Sequence, residues 1–440
     1  MRRFVVPLIA VIVVVSMILG GCAAPAPAPT TPTTPTEPTR KPTAVPQPEP
    51  APAPEEEIGT IQMGVITPLS GIAAPWGIPH LRGFELAFEI INERGGVVVD
   101  GKRYYFEAVG YDNKYSEAET VAVANKLIFD DQIDYVSVLI QVAPIRDLCR
   151  EEGVLMINLS WTYEAINPDY PLMFHYLQMA QQTQAVLTTW IVENTDVERS
   201  VGFGPDIHVG YMGQEIDKRA AEYYGIEKVE TFYFDPTATE FSSDLTKVLE
   251  LNPDYIALNG TPATQVALII KQARELGYKG LIGNEGDGAA GLPAMADVAG
   301  AENMEGYIAW GPTGLEETEY WTPAMQDWKD RYLEKYGEYE PTSIDWSMGA
   351  FSLADGIQHA NSLDPADIAA ALRAPDFEGT NLYGTYSYGG EELWGVACQV
   401  LAPIAFYQWK EDGKAHNVAF STPEEYMPIA VDMGMAGIYK

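Results

Sequence analysis

The alternation of short apolar runs with helical periodicity constrains the fold of this chain more than any other feature. Ile61–Thr67 reads as a strand, and Phe84, Ala87, Phe88 and Ile91 then recur at the spacing of one helix face until Gly95-Gly96 ends the pattern. A strand over Tyr104–Val109 leads to Ser116-Glu117-Ala118-Glu119, a capping box opening a helix expected to carry Val121, Ala124 and Ile128 on one face. Strands at Tyr135–Ile140 and Val154–Asn158, with a short helix through Leu148 between them, complete a first βα series. The rhythm restarts after Gln181. Helices are expected to Val192 and over Gln214–Tyr224, Ser242–Leu251 and Thr264–Leu276, with strands at Val201–Phe203, Val229–Phe234, Tyr255–Leu258 and Gly280–Ile282. Two consecutive βα series with parallel connections imply an α/β protein of two doubly wound, parallel-sheet lobes. On such sheets ligands sit beyond the carboxyl ends of the strands.

The first 57 residues belong to neither lobe. Arg2 and Arg3 precede an uncharged apolar run, Phe4–Leu19, that ends at Gly20-Gly21-Cys22, the three parts of a secretory signal in order. The tetrad Leu19-Gly20-Gly21-Cys22 resembles the lipobox of bacterial lipoproteins, which implies cleavage after residue 21 and a lipid on the Cys22 sulfur. A plain transmembrane anchor is the competing reading, and the run is close to the ~17-residue lower limit for spanning. From Ala23 to Glu57 proline alternates with alanine or threonine, a polyproline-like, semi-rigid stalk rising ~3.1 Å per residue and unable to build a core. The expectation is a signal peptide over 1–21, a lipidated tether over 22–57 and an extracytoplasmic body held at a membrane.

Charge and missing motifs narrow the function. With 62 acidic against 27 basic residues and a formal net charge of −35, the chain is a poor partner for nucleic acid or an anionic membrane surface. His80, His175, His208, His359 and His416 are scattered and form no metal-binding pair, and neither a GxSxG elbow nor a Walker loop is present. Gly286-Asp287-Gly288-Ala289-Ala290-Gly291 fits GxGxxG, but it stands late in the second βα series rather than in a first βαβ unit. It reads better as a tight loop at a cleft edge. No cofactor and no metal are expected. Cys149 and Cys398 are expected in different lobes as buried apolar residues, with a disulfide as the alternative.

An ordered set of segments is similar to the branched-chain amino-acid (leucine/isoleucine/valine) binding proteins, type I periplasmic solute-binding proteins of ABC importers. The set begins with Ile61-Gln62-Met63-Gly64-Val65-Ile66-Thr67-Pro68-Leu69-Ser70-Gly71 and Trp76-Gly77, then Ile91-Asn92-Glu93-Arg94-Gly95-Gly96 and Tyr111-Asp112. It continues through Glu152-Gly153-Val154-Leu155-Met156-Ile157, Phe241-Ser242-Ser243-Asp244-Leu245, Gln272-Ala273-Arg274-Glu275-Leu276-Gly277 and Gly283-Asn284-Glu285-Gly286. The resemblance implies a three-strand hinge, with crossovers near Tyr176–Gln182, Ile308–Gly314 and Gly379–Thr385, so that lobe 1 takes 58–178 plus 312–381 and lobe 2 takes 179–311 plus 382–440. It implies a monomer that captures an amino acid or related amine-bearing metabolite by hinge closure, for delivery to ABC permease subunits, with no bond made or broken. The alternative is a ligand-sensing module of a signalling system with the same fold.

The same resemblance implies the site residues. Trp76 walls the cleft, and the acid at Glu285 pairs with the ligand ammonium. Around the ligand carboxylate the chain departs from the family: the hydroxyl-rich loop becomes Gln141-Val142-Ala143-Pro144, and the loop after Met156 becomes Ser160-Trp161-Thr162, keeping the threonine but adding an indole. On the second lobe Tyr211 is the nearest match to the family's tyrosine, and Gly260-Thr261 replaces an aromatic. The expected ligand-binding set is therefore Trp76, Gln141, Ser160, Trp161, Thr162, Tyr211, Thr261 and Glu285.

Overall fold

The computed structural model describes residues 58–160, 165–287, 291–311 and 321–436. The signal, Cys22 and the tether lie outside these residues, as do Trp161 and Thr162. Among the described residues no helix is long and apolar enough to cross a membrane.

The first βα series builds a nine-stranded sheet from β1 (Ile58–Thr67), β2 (Val97–Val99), β3 (Lys102–Asp112), β4 (Tyr135–Val138), β5 (Leu155–Asn158) and β6 (Met173–His175), completed by β12 (Gly379–Asn381), β13 (Gly384–Gly389) and β14 (Gln399–Leu401). Its order is β12-β13-β14-β6-β5-β4-β1-β3-β2. The central pairs are parallel, while β2, β12 and β13 add antiparallel edges. The second sheet has seven strands: β7 (Arg199–Pro205), β8 (Glu227–Phe234), β9 (Tyr255–Ala257), β10 (Leu281–Asp287), β11 (Ile308–Gly311), β15 (Ile404–Trp409) and β16 (Ala415–Ser421), in the order β16-β15-β11-β10-β9-β7-β8. Strands β4 and β5 are buried along their whole length, as expected for strands covered on both faces and read from their continuous apolar runs. Helix Ala74–Glu93 presses Phe84 and Phe88 onto the first sheet, and the Phe88 and Phe106 rings stack with centroids 5.1 Å apart. Each such ring contributes about 1.5–3 kcal/mol by burial.

Chain order and sheet order together give three passages between the sheets: after β6, after β11 and after β14. The third differs from expectation. Strands β13 and β14 remain in the first sheet, so the chain crosses at Ala402-Pro403 rather than at Gly379–Thr385, and residues 382–401 belong with lobe 1. The antiparallel turn of β12 into β13 and a two-residue crossing carry no helix, and the βα rhythm is silent there. Cys398, at the head of β14, therefore shares the first lobe with Cys149; both are buried and neither forms a disulfide.

The helix opened by the capping box is Glu117–Asn125, with Ser116 Oγ accepting from the Glu119 N–H at 3.5 Å. Its buried face is Thr120, Ala124 and Leu127, whereas Val121 is exposed. A π-turn over Lys126–Asp130 adds a residue to the last turn and changes the spacing that an unbroken helix would have.

Candidate functional site

Strand order reverses beside β1 in the first sheet, flanked by β3 and β4, and beside β7 in the second, flanked by β8 and β9. The loops leaving the carboxyl ends at both points line one cavity of about 110 Å³, where open α/β sheets bind ligands. Lobe 1 supplies Trp76, Tyr115, Leu139, Ile140 and Trp346, and lobe 2 supplies Ile207, Val209, Gly260, Thr261, Pro262, Asn284, Glu285 and Gly286.

The first-lobe wall is aromatic and held by local backbone chemistry. A Cβ at Gly77 would stand 1.7 Å from the Pro68 carbonyl oxygen, so only glycine lets the turn carrying Trp76 sit so close to the end of β1. Lys114 and Tyr115 are both left-handed (φ 52° and 57°), and their N–H groups donate to the Asp112 and Asn113 side chains at 2.8 and 3.2 Å. That turn brings Tyr115 edge-on to Trp76, ring centroids 6.4 Å apart. Ile140 is left-handed as well (φ 74°), a strained state for a β-branched side chain, costing about 1–3 kcal/mol. Two bonds hold it: its N–H donates to Leu159 O at 2.7 Å, and Ser160 Oγ donates to its carbonyl at 2.9 Å.

Two expected site residues thus stand behind the wall. Ser160 fixes Ile140, and Gln141 Oε1 accepts from Thr120 Oγ1 at 2.8 Å and from Asn113 Nδ2 at 3.4 Å, bracing the loop that presents Tyr115. Tyr211 is not in the lining. It is largely exposed on helix His208–Tyr224, bonded to Asp206 and packed edge-on against Tyr233. That helix begins six residues before the expected Gln214, which places Tyr211 on its outer face while Ile207 and Val209 reach the cavity. Trp76, Thr261 and Glu285 do line it.

Tyr115 and Trp346 were missed. The Asp112-Asn113-Lys114 run is a turn signal at a strand's carboxyl end and could have flagged Tyr115. Trp346 ends the short helix Thr342–Trp346, in a stretch where no βα pattern leads to it.

The polar chemistry is concentrated on lobe 2. Glu285 is 3% exposed, and its Oε2 has no hydrogen-bond partner among the described residues; the same holds for Thr261 Oγ1. Burial raises the Glu285 carboxyl from its ordinary 4.5 to about 8, with the Asp217 charge adding to the rise and the N–H groups of Glu285, Gly286 and Gly260 opposing it. Helix His208–Tyr224 comes close at Gly213, where a Cβ would lie 3.1 Å from Glu285 Oε1. Lys228 does not neutralise the carboxylate, being held in a buried pair with Asp217 and donating to Gln214 Oε1 at 3.1 Å. No lysine, arginine or histidine lines the cavity among the described residues. A carboxyl with one unbonded oxygen and an unbonded hydroxyl, in a largely apolar, aromatic cleft, can hold a cationic group; among the described residues no cluster of His, Cys, Asp or Glu could hold a metal.

Two α/β lobes that meet at their strand ends around such a cavity have the architecture of a protein that captures a small molecule between its lobes. The chain belongs to the periplasmic binding protein family, whose model matches residues 60–414, and its place of work is extracytoplasmic. It is 27% identical to a leucine-, isoleucine-, valine-, threonine- and alanine-binding protein of Pseudomonas aeruginosa, over 72% of this chain and 83% of that one. Among solved structures, a leucine-binding protein of Thermotoga maritima superposes with TM-score 0.68 at 19% identity, covering 83% of this chain and 99% of its own. A solute-binding protein of R. palustris in complex with 4-hydroxybenzoate superposes with TM-score 0.68 at 19% identity, covering 84% and 98%. These likenesses establish the fold; the ligand must be argued from the site.

Proposed function

We propose that this protein is the capture component of an ABC importer for amino acids or closely related amine-bearing metabolites, tethered to the outer face of the bacterial cell membrane by a lipid on Cys22. The observation that carries the reading is the buried carboxyl of Glu285, whose Oε2 has no partner among the described residues, in a cavity lined by Trp76, Tyr115 and Trp346 and containing no cationic side chain among those residues. A ligand ammonium would ionise Glu285 and pair with it, the aromatic rings would cover the ligand body, and Thr261 Oγ1 would offer a further polar contact. An anion without an amine would face a carboxyl with nothing positive beside it. Capture would draw the lobes together about the passages after β6, β11 and β14, as a monomer, before delivery to permease subunits. Relatives that bind leucine, isoleucine, valine, threonine and alanine support the amino-acid class.

A thermal-shift screen of amino acids, each against its des-amino acid, tests the ligand class. The amine-bearing member of a pair should stabilise the protein at saturation, by about 2.7 kcal/mol at a hundredfold excess over Kd, while its des-amino partner leaves the midpoint unchanged. Stabilisation by des-amino acids alone would replace this reading with that of an anion-binding protein.

A further inference from the structure

A second cavity, of about 490 Å³, lies where the chain passes between the lobes, and its size falls within the roughly 300–1,000 Å³ of small-molecule sites. All three passages contribute to its lining: Gln178 follows β6, Trp321 precedes the helix that begins the return to lobe 1, and Ala402-Pro403 is the last crossing. Trp310 of β11 and Phe420 of β16 come from the second sheet, and Asp345 and Tyr383 from the first lobe. Among the described residues its lining combines large aromatic surface with one acid. Asp345 is 4% exposed and accepts from the Tyr383 hydroxyl. Gln178 is 5% exposed; its Nε2 donates to Pro403 O at 2.9 Å, but its Oε1 has no partner among the described residues. A buried carboxylate and a spare amide oxygen among indole, phenol and phenyl rings make an environment suited to an alkylated ammonium. Coulomb attraction and ring quadrupoles favour the charge, and methyl groups lose little by leaving water.

We propose that this hinge cavity is a second ligand site, distinct from the interlobe cavity, that takes a small organic cation of the alkylammonium class. Asp345 supplies the counter-charge, the rings of Trp310, Trp321, Tyr383 and Phe420 cover the cation, and Gln178 Oε1 accepts from a hydroxyl or N–H on the ligand. The two cavities are mechanically connected, since the consecutive residues Asp345 and Trp346 of one short helix line the hinge cavity and the interlobe cavity respectively. Occupancy of the hinge site is therefore linked to lobe rotation and, reciprocally, to ligand affinity between the lobes.

Calorimetric titration of the full chain in a neutral detergent with choline, and with 3,3-dimethylbutan-1-ol as its uncharged carbon isostere, tests the proposal. One saturable choline site is expected, with no measurable binding of the isostere. Asp345→Asn and Trp321→Leu should each weaken choline by about tenfold or more, as for loss of a desolvated counter-charge or an aromatic face, while Glu285→Gln leaves it unchanged. Trp321→Leu keeps the test decisive if the buried Asp345 variant does not fold. Absence of saturable choline binding, equal binding of the isostere, or loss of binding in Glu285→Gln with retention in Trp321→Leu would each overturn the site. The last outcome would assign choline to the interlobe cavity.

Discussion

Glu285→Gln should weaken binding of an amine-bearing ligand by about 30-fold or more, a loss of about 2–5 kcal/mol, when calorimetry is done near pH 8. Glutamine preserves the shape of the cavity and removes the charge. What remains is a ligand cation enclosed by Trp76, Tyr115 and Trp346 with no counter-charge, and its desolvation goes uncompensated. The gap between parent and variant should narrow as the pH falls, because the parent carboxyl, held near 8 by burial, is itself protonated there. The free protein shows the opposite benefit. A carboxyl that ionises at 4.5 when unfolded and near 8 when folded binds more protons in the native state between those values, so its contribution to stability is complete below 4.5 and is lost as pH rises through about 8. The ligand-free Gln variant should therefore match the parent's thermal midpoint at low pH and exceed it above about pH 8. Equal affinity of parent and variant near pH 8 would remove the ammonium from Glu285.

Signal-cleaved Cys22→Ser should move from the membrane fraction to the soluble fraction almost completely. On the proposed reading a lipid on the Cys22 sulfur is the attachment that remains after signal cleavage, and the Pro-rich segment behind it contains no apolar run that could insert. No helix among the described residues could replace it. Membrane fractionation followed by mass analysis of the N-terminus decides the matter. A signal-cleaved Cys22→Ser variant that still sediments with membranes would show that the anchor lies elsewhere.

The parts of the fold that repeat a strand and a covering helix were legible because burial imposes a period on them. Strand β1, helix Ala74–Glu93 and the run from β7 to β10 all follow that rule, whereas Glu285 was pointed to by the resemblance of Gly283-Asn284-Glu285-Gly286 and lies within β10. The third crossing could not be placed, since β12 and β13 are antiparallel additions, β14 joins β6 over a single residue pair, and Ala402-Pro403 is too short to leave a periodic trace. Within the site, sequence pointed to loops that border the cavity more often than to the side chains that line it. After β4 the left-handed turn at Ile140 puts Ile140 into the cavity and leaves Gln141 bonded behind it. Tyr211 was misplaced because the early start of helix His208–Tyr224 turns it toward solvent. Backbone conformations of this kind depend on partners distant in sequence, such as the Leu159 carbonyl and the Ser160 hydroxyl that hold Ile140.

The central claim, that a ligand ammonium ionises and pairs with a buried neutral Glu285, is tested most directly by counting protons on binding. Titrating an amine-bearing ligand near pH 7 in two buffers of different ionisation enthalpy should reveal release of close to one proton per ligand, and affinity should rise toward about tenfold per pH unit before levelling above about pH 8. Both effects should vanish in Glu285→Gln. Binding near pH 7 that releases no proton and is independent of pH in the parent protein would contradict the account.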